Sequence, residues 1–158
     1  MNFDIRKAVP TDIPGVIVLL HEFAKFENLT EYLEITEENL ADVLFGSDAF
    51  VECLVAFEGN EMAGYAILYP NFATFRGQKG MYLEDLYIRD KCRGKGLGDM
   101  LLKEIARLAR ALGANRLDFV VLDWNAPAIK FYNKHGAARE DEERRFKFVD
   151  EAFETLAS

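Results

Sequence analysis

The sequence predicts an α/β fold of the α+β kind: one mixed, mostly antiparallel central sheet flanked by helices. Three observations carry that expectation. Alternating apolar runs follow one another through VECLVAF, GYAILYPNF and GMYLEDLYIRD, the pattern of an antiparallel meander. A basic knot holding three glycines then opens a helical pattern from Leu97, in which Leu101, Leu102, Ile105, Leu108, Ala109 and Leu112 recur at spacings of three and four. Helical segments also fall between several of the strands, which mixes the two element types around one sheet.

Taken in order, FDIRKAV alternates as a first strand, and PTDIPGVIVLLHEFAKFE follows as a helix with Thr11 or Asp12 as its cap and Pro14 in its first turn. NLTEYLEI is acidic and has no dominant period. TEENLADVLFG predicts a short helix capped by Thr36, with Glu38 and Asn39 in its first turn and Gly46 as its stop. Two strands fold back around Gly59 and Asn60, and GMYLEDLYIRD adds a third. The helix from Leu97 closes at Gly113. RLDFVVLD is apolar enough for a buried strand. NAPAIKFYNKHG returns to helix, with Asn125 as cap, Pro127 in the first turn and Gly136 past the end, and RRFKFVD is expected as a last strand. No low-complexity tract or solenoid repeat intervenes, so residues 1–158 are expected to form a single domain.

Half of the 158 residues are apolar, enough for one domain that buries roughly two thirds of its unfolded surface. The formal charge of −8 argues against a nucleic-acid partner and suits a cationic small molecule. Nothing near Met1 resembles a signal peptide, and no apolar run approaches the ~20 residues of a membrane span, so a cytoplasmic protein without a membrane partner is expected. Cys53 reads as a small core side chain and Cys92 as an incidental loop residue.

Several chemistries fail on inventory. Serine occurs only at Ser47 and Ser158, which removes a Ser-His-Asp hydrolase. His21 and His135 are the only histidines and neither has a metal-ligand spacing, so no metal is expected. RGKGLGD lacks the Lys-Ser/Thr pair of a Walker A loop, and GKGLG is not GxGxxG.

What remains is Arg93, Gly96 and Gly98 in the pattern R-x-x-G-x-G, after an apolar strand and before a helix. With FAKFE, YLEDLYI, VLDWN and AIKFYNKHGA, it resembles the GNAT acetyltransferase superfamily, and within it the diamine acetyltransferase branch of spermidine/spermine and thialysine acetyltransferases. The resemblance implies acetyl-CoA as co-substrate and a sheet whose strands splay at the acyl-CoA site. The pyrophosphate would lie on the main chain of Arg93, Gly94, Lys95, Gly96, Leu97, Gly98 and Asp99, at a helix start that favours anions. Main-chain groups of Leu86, Tyr87 and Ile88 would pair with the pantetheine arm, and Asn125, Ala126, Pro127 and Ala128 would touch the cofactor again.

A primary amine near ~10.4 is only about one part in two thousand neutral at pH 7, a cost of roughly 4.6 kcal/mol before it attacks a thioester. The resemblance implies Glu84 as general base through a water and Tyr132 as general acid to the leaving sulfur. A main-chain N–H near Leu86 would meet the developing oxyanion. In a regular strand Asp85 points to the face opposite Glu84, which argues against a coupled carboxylate pair. Phe26 and Glu27 match family positions lining the amine pocket, Asp118, Phe119 and Val120 match another lining segment, and Asp85 is a further candidate for binding substrate, with surface solvation or a partner-chain contact as the competing roles. Spermidine-type relatives carry an acid and a tryptophan where this chain has ATFRG, so Arg76, with Lys79 beyond it, favours a thialysine-like amino acid at least as much as a diamine or polyamine. The alternatives are a noncatalytic acyl-CoA-binding protein and an acetyltransferase of proteins or peptides. A homodimer is implied by the same resemblance.

Overall fold

In a computed structural model of the chain, residues 2–158 are described. The chain divides into two compact units, one ending at Val120 and the other beginning at Val121. The first contains the sheet, ordered β1 (Phe3–Lys7), β2 (Glu52–Glu58), β3 (Glu61–Ala73), β4 (Gln78–Ile88) and β5 (Leu117–Asp118). The first four strands are antiparallel neighbours and β5 runs parallel to β4, so the expected mixed sheet is present.

Three helices flank it: α1 (Ile13–Phe26), α2 (Glu37–Phe45) and α3 (Leu97–Ala111). Thr36 and Asn39 cap α2 reciprocally, each side chain accepting from the other's backbone N–H at 3.1 and 3.2 Å. Asp12 occupies the cap position of α1, yet its carboxylate turns back to accept from Val9 N–H at 2.8 Å and from Arg6 at 2.7 and 3.0 Å. One core joins Leu54, Leu68, Met81 and Leu83 of the sheet to Leu97, Leu101 and Ile105 of α3. The other joins Cys53, Val55, Tyr65, Ile67 and Tyr87 to Val16, Leu19 and Leu20 of α1 and Leu40 of α2. Each sheet face is therefore covered by an apolar helix stripe.

The second unit contains α4 (Ala126–Lys134) and α5 (Asp150–Ala157). The expected strand RRFKFVD is absent among the described residues: Phe146 and Phe148 are exposed, and helix begins at Asp150. Alternation alone does not make a strand when no neighbouring edge pairs with it. RLDFVVLD is likewise shorter than expected, paired only at Leu117 and Asp118, with Val120 exposed. Cys92 is fully buried in the α3-side core and its thiol donates to Glu58 at 3.4 Å, which corrects its reading as an incidental loop residue.

Candidate active site

Strand β4 presents the acids. Its pairing with β3 slips between Ile67, opposite Asp85, and Leu68, opposite Leu83. Glu84 is the extra residue of a β-bulge, a device that bends a strand and re-aims side chains. Leu83 and Ile88 belong to the α3-side core with Leu86 at its margin, whereas Tyr87 belongs to the α1-side core. Between Leu83 and Leu86 the alternation is out of phase by one, so Glu84 and Asp85 share the α1 side. This overturns the expectation that the two acids point apart.

Their surroundings differ. Glu84 is exposed and accepts from the Tyr69 hydroxyl at 2.9 Å, while the Tyr69 ring stacks on Tyr82 with centroids 5.4 Å apart. Asp85 is pushed up to about 7, first by burial and then by the charge of Glu84, with Glu27 adding to the rise and the Tyr65 hydroxyl opposing it. Glu27 ends α1 and is itself raised by burial. The phenol of Tyr65 is sealed in the core on the same sheet face as Asp85 and closes no hydrogen bond to a protein atom among the described residues. Neither tyrosine was singled out from the sequence. Tyr65 and Tyr69, four apart on an alternating strand, carried the signal that they share a face.

The glycine knot follows the same strand. Gly94 and Gly96 have φ of 72° and 84°, the left-handed region, and a Cβ at either would meet no atom within 4 Å. Gly96 occupies the cap position of α3 and no side chain caps that helix start. Leu97 anchors the first turn in the core, with Gly98 and Asp99 beside it. Arg93 donates from Nε to the Ile88 carbonyl at 2.9 Å, pairs with Asp90, and lies over the rings of Phe26 at 4.8 Å and Tyr87 at 5.6 Å. Lys95 pairs with Glu58 at 3.2 Å. On the far edge of β4, β5 pairs only at Met81 and Tyr82. Residues 83–88 thus have no strand neighbour on that edge among the described residues, and this stretch holds Leu86, Tyr87 and Ile88.

The remaining positions are more dispersed. Arg76 is exposed in the turn Thr74–Arg76, closed by Gly77 at φ 60°. Lys79 belongs to β4 and donates to the Leu112 carbonyl at 2.6 Å, so it serves the C-terminal end of α3 instead of standing in the loop with Arg76. The Asp118 carboxylate, held below its ordinary range chiefly by hydrogen bonds from Arg116, accepts from Arg116 at 2.7 and 2.9 Å and from Asn71 at 3.2 Å. Phe119 is half-buried against the α3-side core. In the second unit, Asn125 caps α4 by accepting from Ala128 N–H at 3.3 Å, with Ala126 and Pro127 in the first turn. Burial pushes the Tyr132 hydroxyl up to about 12.

The Acetyltransferase (GNAT) family profile matches residues 17–137. A thialysine N-epsilon-acetyltransferase of Bos taurus is 34% identical over 97% of this chain and 96% of its own length. The human spermidine/spermine N(1)-acetyltransferase-like protein 1 is 32% identical over 85% of this chain and 20% of its own length. Among solved structures, an integron cassette protein from the mobile metagenome of V. cholerae superposes with a TM-score of 0.81 at 25% identity, covering 99% of this chain and 98% of that one. With the family profile over most of the chain and a relative 34% identical over nearly all of it, the chain belongs to the GNAT acetyltransferase family and is an acetyltransferase.

Proposed function

We propose that the protein moves an acetyl group from acetyl-CoA to a primary amine of a small cationic substrate, a thialysine-like amino acid ahead of a polyamine. The observation that carries this reading is the bulge in β4, which sets Glu84 and Asp85 on one face. The thioester of acetyl-CoA supplies the activated acetyl group. The residues present suit that co-substrate: Gly94 and Gly96 leave open space beside an uncapped helix start, where N–H groups and the helix dipole favour an anion. The main chain of residues 93–99, the free edge at Leu86, Tyr87 and Ile88, and the Asn125–Ala128 turn would hold it.

Glu84 acts as general base, taking the ammonium proton through a water and leaving the nitrogen lone pair free for direct attack. The Tyr69 hydroxyl, bonded to Glu84, limits where that carboxylate rests. Tyr132 acts as general acid. Its hydroxyl, raised to about 12 by burial, is protonated at neutral pH and is a weaker acid than a free phenol, so it gives up its proton only as negative charge develops on the leaving sulfur. Phe26, Glu27 and Asp85 receive the cationic amine, exposed Val120 stands as a further lining residue, and Phe119, packed against the α3-side core on the other sheet face, steadies β5 together with the Arg116–Asp118 pair. Exposed Arg76 suits the α-carboxylate of an amino acid by a two-pronged contact and repels an extended polycation. The likeness to a thialysine acetyltransferase supports that choice. A cytoplasmic homodimer belongs to the same reading.

A thiol-release assay with acetyl-CoA against thialysine, lysine, spermidine and peptides tests it. The expected result is a higher kcat/KM for thialysine or a similar amino acid than for spermidine, with Arg76→Ala narrowing the gap. A clear preference for spermidine returns the enzyme to the polyamine branch. Transfer to peptides alone, or acetyl-CoA binding with no thiol release, selects one of the two alternative functions.

A further inference from the structure

Tyr65 is a sealed tyrosine whose hydroxyl has no hydrogen-bond partner among the described residues. Its ring fills the α1-side core between β2 and β4, opposite Val55 and Tyr87. Phenylalanine would fill nearly the same volume without burying an unpaired hydroxyl, so packing alone does not account for the phenol. The groups that interact with it are Asp85 of β4, Cys53 of β2 and Glu27 at the end of α1. Those that act on Asp85 are Glu84, Tyr65 and Glu27. The Cys53 thiol already donates to the Leu54 carbonyl at 3.7 Å, and burial pushes it up to about 12. Around the Asp85 carboxyl there are thus two further acids, an engaged thiol and one uncommitted donor, the Tyr65 hydroxyl.

We propose that Tyr65 is a positioning residue for the amine site, whose hydroxyl steadies Asp85 as a carboxylate on the same face as Glu84 and so sets the pH above which the site carries two negative charges for an incoming ammonium group. The inference rests on the reading of Glu84 and Asp85 as the amine site. Geometry supplies its basis: Tyr65 pairs with Tyr87 and Ile67 with Asp85 in regular register, so Asp85 lies on the α1-side face with the buried Tyr65 hydroxyl, and the bulge just before Asp85 brings Glu84 onto that same face. The balance is fine, because Asp85 stands at about 7, with burial and Glu84 pushing it upward and Tyr65 pulling it down. Without the hydroxyl, Asp85 keeps its proton to higher pH, and at neutral pH the site loses charge and holds the ammonium less tightly.

Tyr65→Phe tests this by two readouts. A 13C NMR titration of the Asp85 carboxyl, without substrate, is expected to shift upward by about half a pH unit or more relative to the unmutated protein. The acid limb of kcat/KM is expected to move by the same amount, through KM for the amine more than kcat, with the two proteins converging at alkaline pH. An unchanged or lowered Asp85 midpoint overturns the proposal, as does a pH profile that only scales down. If Tyr65→Phe does not fold, a fluorinated tyrosine at position 65 is a stronger donor and is expected to move the midpoint down; no movement is then the contrary result. Should the unmutated protein acetylate no amine, the functional reading fails while the NMR titration still decides the role of Tyr65.

Discussion

The acidic bulge at Glu84 and Asp85 and the glycine knot from Arg93 to Gly98 lie on one continuous stretch of chain, and they are built from opposite materials. The bulge works through side chains: its position against the core raises Asp85 to about 7 while Glu84 stays exposed on a tyrosine hydroxyl. The knot works through main chain, with left-handed glycines facing open space and side chains turned to other tasks, Arg93 onto two rings and Lys95 onto Glu58. A substitution in the knot should therefore act through backbone shape and room, and one in the bulge through charge and pH.

The largest effect is expected in the knot. Gly96→Val should abolish acetyl-CoA binding by calorimetry while the domain stays folded, because a branched residue is strained at φ 84° and its side chain occupies the open space. Gly59→Val provides the contrast. Gly59 has φ 62° and equally open space but sits in the β2–β3 turn, so its substitution should cost stability and leave cofactor affinity unchanged. Equal affinity loss in both variants would show that strain, not the cradle, is being read.

Tyr132→Phe belongs to neither region and separates binding from chemistry. It should retain acetyl-CoA binding and lower turnover by about a hundredfold or more, the range typical of an acid–base group. Unchanged turnover would remove Tyr132 from the mechanism.

A smaller effect lies in the bulge and is read as stability. Asp85 stands near 7 in the folded chain and near ~3.9 when unfolded, so between those values the folded state holds a proton that the unfolded state has released. Its raised value therefore costs nothing below about pH 4, and the penalty grows as pH rises, reaching its full size, on the order of 2–4 kcal/mol, above about pH 7. Asp85→Asn removes the penalty. It is expected to raise Tm by several degrees at pH 8 and by little at pH 4, with reduced amine affinity at both neutral and alkaline pH. Equal thermal shifts at the two pH values would contradict the buried-acid account.

Much of this was legible in sequence where the signal is local. The caps at Thr36 and Asn125, the glycine stops and the apolar stripe of α3 all rest on neighbours within a turn or two, and each appears as expected. What escaped depends on distant pairing. The bulge arises from a register slip between β3 and β4, and nothing in YLED announces the extra residue. Lys79 looked like a loop cation because its acceptor, the Leu112 carbonyl, lies far along the chain. RRFKFVD alternates like a strand, yet it finds no edge to pair with among the described residues. The knot was readable because glycine spacing survives without tertiary context; Tyr65 was not, because an unpaired hydroxyl becomes visible only once its surroundings are known.

The most direct measurement is the pH–rate profile of Glu84→Gln with thialysine as substrate. If Glu84 is the base, activity at neutral pH falls by about a hundredfold or more and recovers in part as pH approaches the amine value near ~10.4, where substrate arrives already neutral. A profile that scales down uniformly, with no relative gain at high pH, would contradict the assignment and leave Glu84 as a residue that only binds the amine.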